Sequence, residues 1–518
     1  MIIIYHNNGT VTRILDSEKN EELEVDRLSS ISRVLLHVAE IYPNSIIVWC
    51  QEANAQYINL KYIATQFNNR YTMISFSEQN YMSDRIGYIE ESPFLKINKS
   101  VKFPSWLMSS MCGAIHSQSI LCFEKTLKGS EGFAYHLNAI AKLGMPLGLF
   151  CYSDPNLLFE TASNKEEEGI RDTALFKFVK QHYKGIWVYL LFLNIALHEK
   201  RVLLRPLFLS LFSKKQAMEL HFNQQKIISQ STIHIITEHN NYDVVIPTLG
   251  RVKYLYDVLE DLSKQTVLPT NVIIIEQDDR EGAVSELQYL KTESWPFLIQ
   301  HQFITQTGAC NARNIALKEV KSPYVFLADD DIRFSSEVME RSIQFMRTNK
   351  YDAITLSCKR ENEIDSLNTA IQWPAFGSGC SIIKTAVLKN IRFNTAFEHG
   401  FGEDSDFGAQ LRRQGVDVVY FPKGRLIHLK APIGGFRTPF QHVWNKEEIQ
   451  PKPSPTVLLY QLLNNTSEQL NGYKLILFIK YYRLQHTKNP YLYFRKFKKQ
   501  WAVSMHWATV LKAKYVQL

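Results

Sequence analysis

The sequence predicts an α/β protein built on an open, largely parallel sheet, and three observations carry that expectation. Short apolar runs of strand length, Asp243–Ile246, Val272–Ile275 and Tyr324–Ala328, are separated by stretches in which apolar residues recur every three or four positions. Acidic residues collect where the runs end: Glu276 and Asp278 after the second, Asp329-Asp330-Asp331 after the third. An open α/β sheet binds its ligands beyond the carboxyl ends of its strands, so polar clusters belong there.

In chain order, Asp243–Ile246 reads as a buried strand stopped by Pro247 and followed by the turn Thr248-Leu-Gly250. Val252, Leu255, Val258, Leu259 and Leu262 form the apolar stripe of a helix. Pro269 breaks the chain before the strand Val272–Ile275. A helix is predicted around Ala283–Leu290, a strand over Phe297–Phe303, a helix over Gly308–Val320 and a strand over Tyr324–Ala328. Farther on, Glu403-Asp404-Ser405-Asp406 follows Gly400-Phe-Gly402 and starts a helix Phe407–Gln414, which Gly415 ends. A strand Val416–Phe421 comes next, and His428 lies beyond it.

At 518 residues the chain exceeds what one core usually holds, so at least two domains are expected. Its 45% hydrophobic and 21% charged content excludes a disordered protein. The longest apolar run, Ile186–Leu197, contains Asn194 and stops at His198, short of the ~18 residues a membrane span needs. Met1–Tyr5 is too short for the apolar core of a signal peptide. Seven cysteines without a CxxC pair read as reduced, mostly buried thiols, so a cytoplasmic location is expected.

The net charge of +8 resides in one segment. Residues 471–518 hold ten Lys and Arg and no acid, which leaves the remainder near −2 (8 − 10). Tyr481, Tyr482, Tyr491, Tyr493, Phe494, Phe497, Trp501 and Trp507 are interleaved with those charges. Such a stretch suits the headgroup region of an anionic membrane. Nucleic acid would meet the same chemistry, and a helix with a solvated basic face is the plain alternative. Of the two partners, an anionic membrane surface is the one expected, on the inner face of the cell membrane, and no nucleic acid.

Three adjacent carboxylates at Asp329–Asp331 repel one another unless a cation or solvent compensates them. Hard divalent cations prefer such oxygen ligands and can bridge to a diphosphate. Alone, the triplet would more readily be a solvated turn; the second acidic cluster at 403–406 changes that balance. Carboxylates at a helix N-terminus are favoured by the dipole, so Asp406 is expected to cap while Asp404 faces a cleft. His428 is a third metal-ligand candidate because it follows both clusters.

These motifs, in this order, make Asp243–Arg437 resemble the family 2 glycosyltransferases of the GT-A fold. The resemblance is carried by Val245-Ile-Pro-Thr248 with Arg251, Leu262 and Gln265-Thr266, the strand Val272–Asp278, and Gly308 with Ala312-Arg313-Asn314. Tyr324–Asp331 resembles the strand entering a DxD motif, Gly377-Ser-Gly379 an acceptor-side glycine segment, and Gly402-Glu403-Asp404…Asp406…Leu411-Arg412…Gly415 an ED motif with its helix. One departure is Glu276-Gln-Asp278 where the family commonly has Asp-Asp or Asp-Gly. The resemblance implies that Pro247, Thr248 and either Glu276 or Asp278 hold the nucleotide base, that Arg313 lies near the diphosphate or braces the nucleotide pocket, and that Asp329 contacts ribose. It further implies that Asp331 and His428 coordinate Mn²⁺ or Mg²⁺ and that Asp404 is the general base. Arg251, Asp330, Gly379 and Glu403 complete the expected substrate-binding set.

The implied activity is an inverting, metal-dependent hexosyl transfer from a nucleotide-sugar, a UDP-sugar by the family's habit. The acceptor would be a hydroxyl of a glycan or lipid-linked glycan in cell-surface polysaccharide synthesis. A single base and direct displacement imply inversion. Two alternatives are a sugar nucleotidyltransferase, whose glycine-rich N-terminal phosphate loop is not seen, and a non-catalytic nucleotide- or glycan-binding scaffold.

The N-terminal part carries a weak internal repeat. Ser45–Cys50 followed by Gln51-Glu52-Ala53 lines up with Pro323–Ala328 followed by the aspartates, Ser109–Gly113 with Phe376–Cys380, and Gly129–Gly144 with Gly402–Gly415. Gly132-Phe133 then falls where Glu403-Asp404 stands. The expected organisation is a degenerate GT-A-like domain over 1–155 without DxD and ED carboxylates, a helical linker over 156–240, a GT-A catalytic domain over 241–445, and a helical, basic, aromatic region over 446–518. Within the linker, Ser163–Gly169 reads as a turn and helix entry. Ile186–Leu197 and the basic-apolar Arg201–Lys215 read as helices packed between domains, with membrane-surface contact the alternative.

Overall fold

The computed structural model describes residues 1–24, 30–160, 169–216, 241–432, 440–485 and 488–515. The turn expected at 163–168, the end of the linker at 217–240, and Arg437 lie outside the described residues. The chain divides into two compact units, Met1–Gln230 with Asn465–Ile479, and Ser231–Asn464 with Lys480–Leu518.

The first unit holds an eight-stranded sheet made of β1 (Ile2–Asn7), β2 (Thr10–Asp16), β3 (Glu21–Leu23), β4 (Ile46–Gln51), β5 (Thr72–Phe76), β6 (Phe103–Pro104), β7 (Cys112–His116) and β8 (Phe150–Ser153). Their order is β3-β2-β1-β4-β7-β5-β8-β6. β1 runs parallel to β4, β7 is antiparallel to both β4 and β5, and β8 is parallel to β5. Outside β1 lies the antiparallel hairpin β2–β3.

The second unit holds nine strands: β9 (Tyr242–Thr248), β10 (Asn271–Gln277), β11 (Leu298–Ile304), β12 (Tyr324–Ala328), β13 (Ile332–Phe334), β14 (Ala353–Lys359), β15 (Ile371–Gln372), β16 (Cys380–Lys384) and β17 (Val418–His428). Their order is β11-β10-β9-β12-β16-β14-β17-β13, with β15 on β17. The run β9-β12-β16-β14-β17 has the same sequence of parallel and antiparallel neighbours as β1-β4-β7-β5-β8. Where the first unit places a hairpin beside its first strand, the second places two parallel strands, β10 and β11. Val244–Ile246, Val272–Ile275 and Val325–Ala328 are buried throughout, as parallel strands covered on both faces require. The helix Val252–Ser263 lays Leu255, Val258, Leu259 and Leu262 on the sheet, each contributing about 2 kcal/mol over exposure.

Several elements differ from the sequence reading. β9 does not stop at Pro247 but runs to Thr248, because its ladder with β10 continues to Thr248 opposite Glu276 after its pairing with β12 has ended at Val245. The helix expected around Ala283–Leu290 is reduced to Tyr289–Thr292; side-chain bonds from Glu276 to the Glu286 amide and from Arg280 to Asp278 and Glu286 hold the preceding loop instead. The helix after Gly308 ends at Leu317, since Asp243 takes the amides of Lys321 and Ser322. The acidic cluster lies inside the first turn of its helix, Glu403–Arg413, behind an N-cap Gly402 at φ +116°. Asp406 does not cap; buried, it accepts from Gln410 and Asn464.

The compact units also divide elsewhere than at 155, 240 and 445. Helices Asp172–His182 and Ile186–Asn194, expected to link domains, bury Leu175, Phe176, Phe178, Val179, Val188 and Leu191 in the core of the first unit. Residues 465–479 of the tail join that unit too, because Gln469 donates to the carbonyls of Glu90 and Ser92. In the last helix, Pro490–Tyr515, Tyr493, Phe497 and Trp501 recur every four residues and point inward. Those rings, expected at a membrane boundary, are packing residues. Among the described residues no helix is long and apolar enough to cross a membrane.

Candidate active site

The site forms where β12 and β17 end and β16 begins. β12 finishes at Ala328, and the chain passes through Asp329–Asp331 into β13. β13 pairs antiparallel with β17, setting Ile332 opposite His428, and this register delivers the imidazole to Asp331. His428 Nε2 lies 3.4 Å from Asp331 Oδ1. The amide of Ala431 donates to Asp331 Oδ2 and that of Leu429 to the Asp331 carbonyl, both at 2.9 Å. Burial pushes the Asp331 carboxyl up, but His428, the Ala431 amide and Arg251 outweigh it and hold the group below its ordinary range. The hydrogen bond to Asp331 keeps His428 above its own, against burial.

Ligand atoms of Asp329, Asp331 and His428 all lie within 4.8 Å of one another. Two carboxylates and one imidazole suit Mg²⁺ or Mn²⁺ and leave coordination positions for diphosphate oxygens, so the donor set fits the expected cation.

Asp330 faces the other way. Its Oδ2 accepts from Thr248 Oγ1 at 2.7 Å and its Oδ1 from Arg251 Nη1 at 2.6 Å. Arg251 is also 3.4 Å from Asp331. Burial pushes the Asp330 carboxyl up to about 6, although Arg251 and Thr248 oppose the rise. Thr248, Arg251 and Asp330, all expected on substrate, thus form a buried brace beneath the cation group, and the triplet splits into Asp329 and Asp331 on one side and Asp330 on the other.

The second acidic cluster reaches the first through the glycine segment before β16. The amide of Ser378 donates to Asp404 Oδ1 at 3.3 Å, and the amide of Asp329 donates to the Gly379 carbonyl at 3.2 Å. A Cβ on Gly379 would fall within the Asp329 carboxylate, which explains the glycine by close approach. Arg313, buried, donates from Nη2 to Asp329 Oδ1 at 2.8 Å and also feels the charge of Asp404. Its buried Nε has no hydrogen-bond partner among the described residues. Burial pushes Asp404 up, opposed by Arg313 and Ser378, while burial and Asp404 together push Glu403 up to about 7.

At the end of β10, buried Glu276 accepts from the Glu286 amide and meets His301 Nε2 at 2.8 Å. Asp278 is clamped by Arg280 at 3.0 Å and held low by it. Pro247 lies beside this edge, with Thr248 opposite Glu276 in the ladder. Sequence reasoning missed Glu398. Its carboxylate accepts the amides of Cys310 and Asn311, at 3.0 and 2.9 Å, and so caps the helix that carries Arg313. Gly308, at φ +146°, is the only kind of residue that fits against it, and its amide donates to Gln277. Nothing in a single chain marks Glu398, because it lies 88 residues from Cys310.

Residues 243–407 match the family model of glycosyl transferase family 2. This segment is a family 2 glycosyltransferase domain. Its mixed sheet with flanking helices has the GT-A fold, and the matched segment stops inside the helix Glu403–Arg413, before β17 and His428. Relatives of the domain include poly(ribitol-phosphate) beta-N-acetylglucosaminyltransferase TarS of Staphylococcus aureus, 24% identical over 164 residues, which are 29% of this chain and 28% of TarS. An uncharacterized glycosyltransferase, YwdF, of Bacillus subtilis is 29% identical over 122 residues, 23% of this chain and 44% of that protein. The chain therefore spans less than half the length of these relatives. Among solved structures, S. aureus TarS 1–349 in complex with UDP-GlcNAc is 19% identical, covering 45% of this chain and 70% of that one, with a TM-score of 0.33. The mannosyltransferase PcManGT of Pyrobaculum calidifontis is 13% identical, covering 52% and 74%, at 0.31.

Proposed function

We propose that the second unit is an inverting glycosyltransferase that moves a sugar from a nucleotide-sugar, a UDP-sugar, to a hydroxyl of a glycan or lipid-linked glycan in cell-surface polysaccharide synthesis. The observation that supports this best is the approach of two acidic clusters on one glycine segment: Asp329 against Gly379, and Asp404 on the amide of Ser378. One cluster holds the donor set for a divalent cation and the other a partly buried carboxylate suited to proton abstraction.

Asp331 and His428, with Asp329 in reach, would hold Mn²⁺ or Mg²⁺, which supplies charge neutralisation to the diphosphate leaving group. The Asp404 carboxylate takes the proton of the acceptor hydroxyl as that oxygen bonds to the anomeric carbon. The bond from the anomeric carbon to the diphosphate breaks on the opposite face, and the nucleoside diphosphate leaves with the electron pair. Burial and the charge of Asp404 push Glu403 up to about 7, so near neutrality the pair carries less than two full negative charges. Pro247 and Glu276 or Asp278 would flank the base, and Arg313 would steady the nucleotide side of the site.

TarS, by its name, adds N-acetylglucosamine to a poly(ribitol-phosphate), which favours a polymer acceptor here as well. For residues 1–155 we propose a degenerate copy of the catalytic fold. The shared order of five strands supports it, as does the absence of carboxylates at the helix start, where Phe133-Ala134 follow the N-cap Gly132 as Glu403-Asp404 follow Gly402. That placement moves the expected alignment by one residue.

Calorimetric binding of UDP with and without Mn²⁺, beside Asp331→Ala, tests the catalytic reading. Metal-dependent binding lost in the variant is the expected outcome. Absence of binding under either condition, repeated with other nucleoside diphosphates, would sink the transferase and favour a scaffold.

A further inference from the structure

Two short helices of the first unit, Ile186–Asn194 and Leu204–Leu211, show water more apolar surface than a core-packed helix leaves uncovered. Along the first, Val188, Leu191 and Ile195 are buried, whereas Ile186, Tyr189, Leu193 and Leu197, at offsets of three and four, are exposed. The second buries Pro206 and Ser210 and turns Leu204, Phe208 and Phe212 outward, at 63%, 61% and 74% exposure. The rings of Phe208 and Phe212 meet edge-on at 5.2 Å. Single exposed apolar residues are ordinary, but clusters of them on two consecutive helices mark an interaction surface.

The charge around those clusters has one sign. Between residues 183 and 216, Lys184, Lys200, Arg201, Arg205, Lys214 and Lys215 stand against a single acid, Glu199. Glu199 is itself engaged by Arg85 and Arg201. The surrounding surface therefore asks for an occupant that is apolar at its centre and anionic at its rim. A bilayer with acidic lipids has that profile, its hydrocarbon lying just beneath a layer of phosphate. At nine and eight residues the helices are far too short to span it and would lie in its plane.

We propose that this face seats the chain on an anionic lipid bilayer, with Leu204, Phe208 and Phe212 entering the acyl boundary and Arg205, Lys214 and Lys215 meeting phosphate. The inference uses no residue of the glycosyltransferase site and stands or falls separately from it.

The test is co-sedimentation of the full chain with vesicles of phosphatidylcholine alone and of phosphatidylcholine mixed equally with phosphatidylglycerol, at low and high salt. Binding is expected to the mixed vesicles and to weaken with salt. The double variant Phe208→Glu/Phe212→Glu should bind at least about tenfold more weakly. Lys214→Ala/Lys215→Ala should lose about fivefold for each charge removed. Because all four side chains are exposed, circular dichroism should match the parent. No binding to the mixed vesicles, or equal binding by the phenylalanine variant, overturns the proposal. Concentration-dependent self-association, abolished by that variant and unaccompanied by vesicle binding, overturns it in favour of a second copy of this chain.

Discussion

At Gly379 the absent side chain is the function. The space a Cβ would fill is taken by the Asp329 carboxylate, so Gly379→Ala must displace a candidate metal ligand. Such overpacking costs about 1–3 kcal/mol. Calorimetry should show metal-dependent UDP binding weakened by about tenfold or more, beside a thermal shift of that modest size. Asp330 behaves differently from its neighbours. Removing it as Asp330→Ala takes the closest partner from the partly buried Arg251 while Asp331 stays 3.4 Å away, a loss of about 1–3 kcal/mol in denaturant unfolding. Asp331→Ala should instead show its main effect on the cation. Glu403 gives a pH signature. Its ordinary value of 4.5 rises to about 7 in the fold, chiefly by burial. Between those values the folded state holds the extra proton, so stability is greatest below the lower one and declines as pH rises through the upper one. Glu403→Gln should make that decline shallower, leaving the share of the likewise raised Asp330, Asp404 and Glu398, and unfolding midpoints recorded from pH 4 to 8 would check it.

At the scale of elements, helix starts and strand registers do the positioning. The helix Ala309–Leu317 presents Arg313, and its first amides are held by Glu398 from a distant loop. Glu398→Ala should cost about 1–2 kcal/mol, the range for losing a charged cap. Because Arg313 rides on that helix, the variant should also raise the KM for donor more than it lowers kcat, a split that a purely structural loss would not produce. The strand β17 was legible as Val416–Phe421 and the structure extends it to His428. The extension depends on β13 and on the later residues of β14 as partners, with a register shift after Leu356 that the local sequence does not announce. Similarly, Ala283–Leu290 had helical periodicity, yet hydrogen bonds from Glu276 and Arg280 win over propensity there.

For the whole molecule, a cation bound to the folded second unit should stabilise that unit. Mn²⁺ at about a hundredfold over its Kd adds about 2.7 kcal/mol. Hydrogen exchange should slow at Asp329–Asp331 and 428–432, while the first unit's sheet stays unchanged, since no comparable acidic triplet closes β4, where Gln51-Glu52-Ala53 stand and Glu52 is bound to Thr12 and Arg13. The sequence alone determined the strands near 243–246, 272–275, 297–303 and 324–328, the helices after Gly250, Gly308 and Gly402, the two acidic clusters, and the basic tail, because period, turn residues and charge are local properties. It also carried the family resemblance, since motif order survives in one dimension. What only the tertiary structure decided were contacts between distant segments. Asp330 turned to Arg251 while Asp331 turned to His428, Glu398 reached the Arg313 helix, and Tyr493, Phe497 and Trp501 of the tail folded inward while Phe208 and Phe212 stayed out. A side chain's direction depends on which strand or helix packs against it, and no pattern within the chain specifies that neighbour.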